Sequence, residues 1–509
     1  MSAATVAIGL AGMLASLGLL IWLAYRGWSV LLLAPLCAML AAFISGEPVL
    51  AHWTQTFMGS TGRFLAQFFP LFLLGSLFGK LMEDSGSVDA VAQFMIDRLG
   101  PRHAIAAVVL GGALVTYGGV SLFVAFFVLA PMAQALFRSA DLPRRLMPAA
   151  IMLGTATFTM SALPGTPALQ NAIPMPFFGT TPFAAPGLGV IASVVMASFG
   201  LWWLGRVAAS ARRNGEHFVE PAESAEFSIA GEDGAKSSLV RERASVAQTF
   251  DPAEAGPGGR AGGRTGAGAV ASHAAGAPPA FVALTPLVVV VGMNFVMNVV
   301  VLPRIDASYL ALPRWGATTL SAVAGVWGVS VALALGIVVL VALNRRRLPA
   351  LRESVDAGAN ASVLPVLSVG SLVGYGAVIA ALPAFEAVRD WVLGIGGGPL
   401  VSLAVATNLL AGLTGSASGG LTIALDALGS TYLQLAAQHH IDPALLHRVA
   451  VMSSGTLDSL PHNGAVVTLL AVCGSTHRES YRDLVVVSIA GALLALVVVI
   501  VLGTLFGSF

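Results

Sequence analysis

Four long apolar blocks decide what this chain can fold into. Ala3 to Leu23, Phe281 to Leu302, Ala317 to Leu343 and Leu484 to Phe506 carry few or no charged residues. A helix needs about 20 consecutive apolar residues to cross the hydrocarbon core of a bilayer. No water reaches the backbone there, and a helix satisfies its own N–H and C=O groups within the segment. Composition agrees with that reading. Only 10% of the 509 residues are charged, against about 25% in soluble domains, too few to cover a water-facing surface. The chain reads as an all-α polytopic membrane protein, with the lipid bilayer as its solvent.

Met1 to Tyr25 lacks a basic leading region and is followed, not preceded, by Arg26. It therefore reads as a retained span rather than a cleaved signal. Cys37 and Cys473 are the only cysteines, both in apolar context, which indicates neither a disulfide framework nor a metal site. No cofactor is called for. The net charge of +1 points to no macromolecular partner, nucleic acid included.

Between the hydrophobic halves, 1–206 and 281–509, the composition changes completely. The stretch 207–280 is rich in Gly, Ala, Ser and Glu and contains "GPGGRAGGRTGAGA" from Gly256. It buries too little apolar surface to fold alone and reads as a flexible linker. Arg206, Arg212 and Arg213 follow a span directly, which places the linker in the cytoplasm. The two halves resemble each other. "GSLFG" at Gly75 answers "GSLVG" at Gly370, "GGVSL" at Gly118 answers "GGLTI" at Gly419, and "SALPGTPAL" at Ser161 answers "DSLPHNGAV" at Asp458. Three matches in the same order, at nearly constant offset, predict an internal duplication.

The pattern predicts about ten full spans, at roughly 3–24, 27–46, 62–83, 144–176 and 186–206, then 281–302, 317–343, 361–384, 444–473 and 483–508. Two further segments, 102–138 and 399–438, are too long for one helix and too short for two full ones. Each carries glycines at its midpoint and reads as a re-entrant hairpin, tolerated at membrane depth only beside protein or a cavity. With the linker inside, Arg26, Lys80, Arg98, Arg102, Arg138, Arg144, Arg145, Arg345, Arg346, Arg347, Arg478 and Arg482 fall on the cytoplasmic face. Arg63, Arg304, Arg314 and Arg389 are left outside. The halves are then inverted relative to each other, with broken helices near the midplane, the build of many secondary transporters.

Four stretches combine helix breakers with small polar side chains. The hairpin tips offer Gly118, Gly119 and Ser121 in the first half and Ser416, Gly419 and Gly420 in the second. The interrupted spans 144–176 and 444–473 offer Ser161, Gly165, Thr166 and Asn171, and Thr456, Ser459 and Asn463. Pro164, Pro167 and Pro461 remove backbone donors and break the helices. The exposed N–H groups and the positive end of a helix dipole suit a carboxylate, and the hydroxyls and amides suit a hydroxylated small organic anion. Any one of these hydroxyls also serves as a packing contact between helices; breaks in four symmetric positions predict a cavity. Asp458 and His462, four residues apart around Pro461, are ionisable groups within a span. Each costs at least about 2.5–3.5 kcal/mol at the bilayer centre, which marks them as functional. Together they read either as a proton-coupling pair or as a neutral, hydrogen-bonded pair that holds the break in shape. Asp426, on the returning arm of the second hairpin, is a further candidate without a counterpart in the first half. No basic residue is placed in the cavity by this reading. Glu83, Asp84, Asp89 and Asp97 read as interfacial, His439 and His440 as an outer loop, and Trp202 and Trp203 as an aromatic belt.

The paired hairpins and the motifs "ALPGTPALQNAIP" and "SSGTLDSLPHNGAV" resemble the gluconate permease (GntP) family, part of the ion transporter superfamily of inverted-repeat carriers. The resemblance covers both hydrophobic halves and leaves the linker out. It implies proton symport of gluconate or a related small hydroxy-monocarboxylate such as 3-hydroxybutyrate across the bacterial inner membrane. It also implies a homodimer of elevator-type carriers. Sodium-coupled relatives in the superfamily carry Ser-Asn-Thr strings at the hairpin tips; this chain has "YGGVS" and "TGSASGG", which favours protons over sodium. Other classes fit less well. A channel needs a continuous pore, a sensor needs a folded soluble domain, and an intramembrane enzyme using Asp458 and His462 with Ser459 lacks a recognisable nucleophile–base motif.

Overall fold

A computed structural model describes residues 3–25, 30–100, 103–120, 122–219, 278–414, 416–461 and 463–509. Among them are helices and loops and no strand. Two expected site residues, Ser121 and His462, lie outside the described residues. So do Arg26, Arg102 and 220–277 of the expected linker.

The first half opens with α1 (Ala3–Tyr25) and α2 (Val30–Ile44), followed by the long α3 (Val49–Asp84) and the short α4 (Ser87–Leu99). A hairpin of α5 (Ala104–Tyr117) and α6 (Leu122–Ser139) comes next. The broken stretch follows, as α7 (Met147–Thr155), α8 (Phe158–Ser161), α9 (Leu169–Ala172) and α10 (Pro174–Phe178). The half closes with α11 (Pro186–Arg213). The second half runs through α12 (Ala280–Arg304), α13 (Leu320–Asn344) and α14 (Leu351–Ala381), then the short α15 (Phe385–Leu393). Its hairpin is α16 (Gly398–Thr414) and α17 (Ala417–Gln438). Its broken stretch is α18 (Pro443–Ser454), a turn at Leu457–Ser459 and α19 (Gly464–Val472). It closes with α20 (His477–Phe506). The order of elements in one half is the order in the other.

Six of these helices are long and apolar enough to cross a membrane: α3, α11, α12, α13, α14 and α20. Hairpin arm α5 has 14 residues and spans about 21 Å at 1.5 Å per residue, short of a hydrocarbon core about 30 Å thick. Helices α4 and α15 are amphipathic, as the charges of the first predict. Asp89 stands in the first turn of α4 and Arg98 in its last, each at the end of the dipole that favours it.

Helices α3 and α14 form the centre of the packing. A side chain on Gly358 would meet Leu77, one on Gly370 would meet Leu65, and one on Gly374 would meet Thr61. Thr61 Oγ1 also donates to the Gly370 carbonyl at 2.9 Å. Partners on α3 step backward as positions on α14 step forward, so the two helices run antiparallel. The same holds for the closing helices. Gly187 N–H of α11 donates to the Phe509 carbonyl just after α20 at 2.7 Å, Phe199 faces Gly491, and Trp203 Nε1 donates to Asp483 at 3.1 Å.

Arg144 and Arg145, just before α7, tie several elements together at one end of the bundle. Arg145 pairs with Asp483 at 2.7 Å and Glu216 at 3.1 Å, and Arg144 Nε donates to the Cys473 carbonyl at 2.9 Å. Helix α11 runs to Arg213, past the linker boundary expected at 206. The residues after it are docked rather than free. Asp141 accepts from His217 at 2.7 Å and from the Phe218 N–H at 3.0 Å. The buried face of α11 continues through Ala208 and Ala211, so composition alone stopped the helix too early.

Candidate functional site

The first break begins where α7 and α8 are held by their own hydroxyls. Thr155, Thr157 and Ser161 each donate to the carbonyl four residues back, at 2.7–3.0 Å. Pro164 and Pro167 have no N–H to continue the ladder, and the chain leaves on an excursion, 162–185, before α11 starts. Gly165 turns at φ +80°, where a side chain would strike the ring of Phe183; its N–H donates to the Pro182 carbonyl at 2.9 Å. Asn171, fully buried, donates to the carbonyls of Thr166 at 3.1 Å and Pro182 at 3.0 Å. Thr166, also buried, accepts weakly from the Ala168 N–H at 3.4 Å.

The second break interrupts α18 after Ser454. Thr456 Oγ1 donates back to the Ser453 carbonyl at 2.8 Å, and Ser459 Oγ donates to Asp458 Oδ1 at 3.2 Å. Pro461 ends the turn. Asn463 Oδ1 accepts from the N–H groups of Ala465 at 2.6 Å and Val466 at 3.2 Å, so it caps α19. Asp458 is 9% exposed and Ser459 2%. Tyr481 donates to the Ser459 carbonyl at 3.1 Å, and His477 Nε2 reaches the Pro461 carbonyl at 2.8 Å; α20 thus holds this turn from below.

The two breaks meet. A side chain on Gly455 would stand 3.1 Å from Ser161 Cβ. Each hairpin tip rests on the break of its own half. Gly119, at φ +97°, faces Pro167, while Gly118 abuts Leu287 of α12. In the second hairpin Ser416 caps α17, its Oγ accepting from the Gly419 N–H at 3.1 Å. Gly420 lets the arms touch backbone to backbone, since a Cβ there would overlap the backbone of Ala411. On the preceding arm, Gly412 faces Leu457. Among the described residues, the breaks therefore meet at Ser161 and Gly455, and each hairpin has a glycine against the break of its own half. Gly118, Ser416 and Asn463 occupy packing and capping positions in it. Asp426 sits apart, with its carboxylate toward Gly376 of α14.

Sequence reasoning passed over a set of residues that the fold sends into the first break. Tyr117 donates to the Pro164 carbonyl at 2.7 Å, and Asn294 of α12 donates to the Gly165 carbonyl at 2.9 Å. His447 joins Thr180 Oγ1 through Nδ1 at 2.6 Å and Asn171 Oδ1 through Nε2 at 3.1 Å. Arg448 is fully buried and donates to the carbonyls of Ala162 at 3.0 Å and Ala184 at 2.6 and 3.1 Å. The signal for the last pair was present: two adjacent ionisable residues inside a span carry the same cost that marked Asp458. Beside them a cavity of about 440 Å³ opens, lined by Thr180, Thr181, Phe183, Ala184 and Asp442 among others.

An uncharacterized transporter of Bacillus subtilis (strain 168), YxjC, is 38% identical over 483 residues, covering 94% of this chain and 95% of that protein. A model of the GntP family permeases matches residues 4–183. The chain belongs to the GntP permease family. As such it is a multi-pass bacterial membrane transporter and not an enzyme. The high-affinity gluconate transporter of Escherichia coli (strain K12) is 31% identical over 122 residues, 23% of this chain and 27% of that protein. Among solved structures, MtrF of Neisseria gonorrhoeae, one of a class of antimetabolite efflux pumps, aligns with a TM-score of 0.50. It covers 90% of this chain and 85% of its own at 15% identity, a likeness of fold alone.

Proposed function

We propose that this GntP permease imports a small hydroxy-monocarboxylate, of the gluconate or 3-hydroxybutyrate type, by symport with protons across the bacterial inner membrane. The observation that carries the reading is the meeting of two broken helices at Ser161 and Gly455. Hydroxyl-bearing turns surround that meeting, and a nearly buried carboxylate, Asp458, sits on one of them. Gly119, Gly165, Thr166, Thr456 and Ser459, with Ser161, frame the substrate; Asp458 and His462 exchange the coupling proton. Alternating access follows from two inverted halves, for which the antiparallel courses of α3 against α14 and of α11 against α20 are the support. The hairpins and breaks then move as one body against the remaining helices, elevator fashion, in a homodimer.

Uptake of radiolabelled gluconate and 3-hydroxybutyrate into proteoliposomes tests the reading directly. Accumulation of either acid under an inward proton gradient, abolished by a protonophore, is expected. Asp458→Asn is expected to abolish accumulation while leaving counterflow exchange of preloaded substrate in place. Accumulation driven by sodium alone would overturn the proton assignment. Full proton-driven accumulation in Asp458→Asn would remove that residue from coupling.

A further inference from the structure

The first break is an excursion with a neck. The chain leaves at Ala162, carries Thr166 and Asn171, and returns at Ala184. Arg448 grips both sides of that neck: Nη1 donates to the Ala162 carbonyl, while Nε and Nη2 donate to the Ala184 carbonyl. His447, the adjacent residue, fixes the interior through Thr180 and Asn171. Gly189 of α11 closes the far side, where a side chain would come within 3.2 Å of the guanidinium carbon. Tyr117 adds a bond from the first hairpin to the Pro164 carbonyl.

Holding carbonyls together is a task for which a neutral amide would serve. A guanidinium is permanently charged and carries five N–H donors. Three are committed here, all to neutral carbonyls. Arg448 is 0% exposed, and no carboxylate among the described residues forms an ion pair with it. A buried charge of this kind is costly unless paired. The one formal negative charge that the transport cycle brings to this region is the carboxylate of the substrate. We propose that Arg448 is a specificity-determining residue: it closes the neck of the 162–184 excursion around Thr166 and Asn171, and its unpaired charge imposes the requirement for a negative charge on the substrate. The inference rests on the hydroxy-acid reading above.

The test compares gluconate with gluconamide, which keeps every hydroxyl and loses the charge. In the wild type, gluconate competes for the binding site at least about tenfold better than gluconamide, the scale of a charge interaction at reduced dielectric. Arg448→Gln can still bond a carbonyl but carries no charge. It is expected to raise the KM for gluconate about tenfold or more and to leave gluconamide competition within about threefold, so that discrimination collapses. Arg448→Lys keeps the charge but cannot fork across two carbonyls; it should retain discrimination and lose Vmax. A role confined to structure would lower Vmax in both variants and leave the ratio of the two ligands untouched. Discrimination that survives in correctly folded Arg448→Gln overturns the inference, as does a wild type that binds both ligands equally, a result that needs no variant to fold. A wild type that binds neither hydroxy acid overturns the functional reading first and this inference with it.

Discussion

Both amide hydrogens of Asn171 are committed, to the carbonyls of Thr166 and Pro182, and its oxygen meets His447. The residue type suited a ligand to substrate hydroxyls, but the amide is spent on holding the excursion. Asn171→Ala strands buried polar groups, at roughly 1–3 kcal/mol for each one left unpaired. Its thermal unfolding midpoint in detergent should fall clearly, and uptake should fall with it. Ser459→Ala removes one hydroxyl bonded to Asp458 and should cost no more than about 1 kcal/mol, so a loss of transport there would report on the site itself. At this scale the sequence was legible where chemistry is rare and opaque where it is common. Asp458 stands out because intramembrane charge is expensive. Ser416 and Asn463 look the same in a sequence whether they bind a ligand or cap a helix; only the position of the next helical N–H decides. Arg448 carries the same signal as Asp458; what the sequence hides is its partners, Ala162 and Ala184, in the other half of the chain.

Glycine does different work in a hairpin and in a long span. Gly420 carries hydrogen where Ala411 of the opposite arm presents its backbone. Gly420→Ala must part the arms, a displacement costing about 1–3 kcal/mol or more, and transport should fall sharply while the long spans stay folded. A side chain at Gly75 of α3 would meet no atom within 4 Å, and Gly75→Ala should be neutral or stabilise α3 by roughly 0.5–1 kcal/mol. Equal effects of the two substitutions on uptake would refute the packing argument. At the end tied by Arg144 and Arg145, the segment after α11 is held by Asp141, whose carboxylate is kept below its usual range by the hydrogen bond from His217 and then by the Phe218 N–H. A depressed folded-state pKa means that this tether is in force above the ordinary carboxylate range and is released as acidification passes below it. A spin label at Val219, exposed in the same segment, should therefore be immobile at pH 7 and gain mobility only in acid, and Asp141→Asn should show the mobile spectrum at pH 7. Helix breaks and hairpins were legible from Pro and Gly placement. The true end of α11 was not, because the small residues after Arg206 that resemble linker composition also pack a helix closely.

Across the whole molecule, the order of elements repeats while the paired helices oppose each other in direction. A duplicated sequence laid down in the same orientation would place α3 and α14 parallel; contacts from Gly358 to Leu77 and from Gly374 to Thr61 require the reverse. Inversion has a consequence that can be read without any transport assay. Glu47 precedes α3 and Arg352 stands at the start of α14, the corresponding place in the second half. An odd number of crossings must separate them if the halves are inverted, so they face opposite sides of the membrane. With Cys37 and Cys473 replaced, Glu47→Cys should react with a membrane-impermeant maleimide on intact cells. Arg352→Cys, whose position is 95% exposed at the side chain, should react only after the membrane is opened. Labelling of both from the same side would contradict the antiparallel course of α3 against α14 and remove the inverted repeat, and with it the symmetric exchange of inward and outward states on which alternating access depends. Opposite labelling would fix the end that the last turns of α3 share with the start of α14, where Gly358 faces Leu77 and Lys80, on the cytoplasmic side.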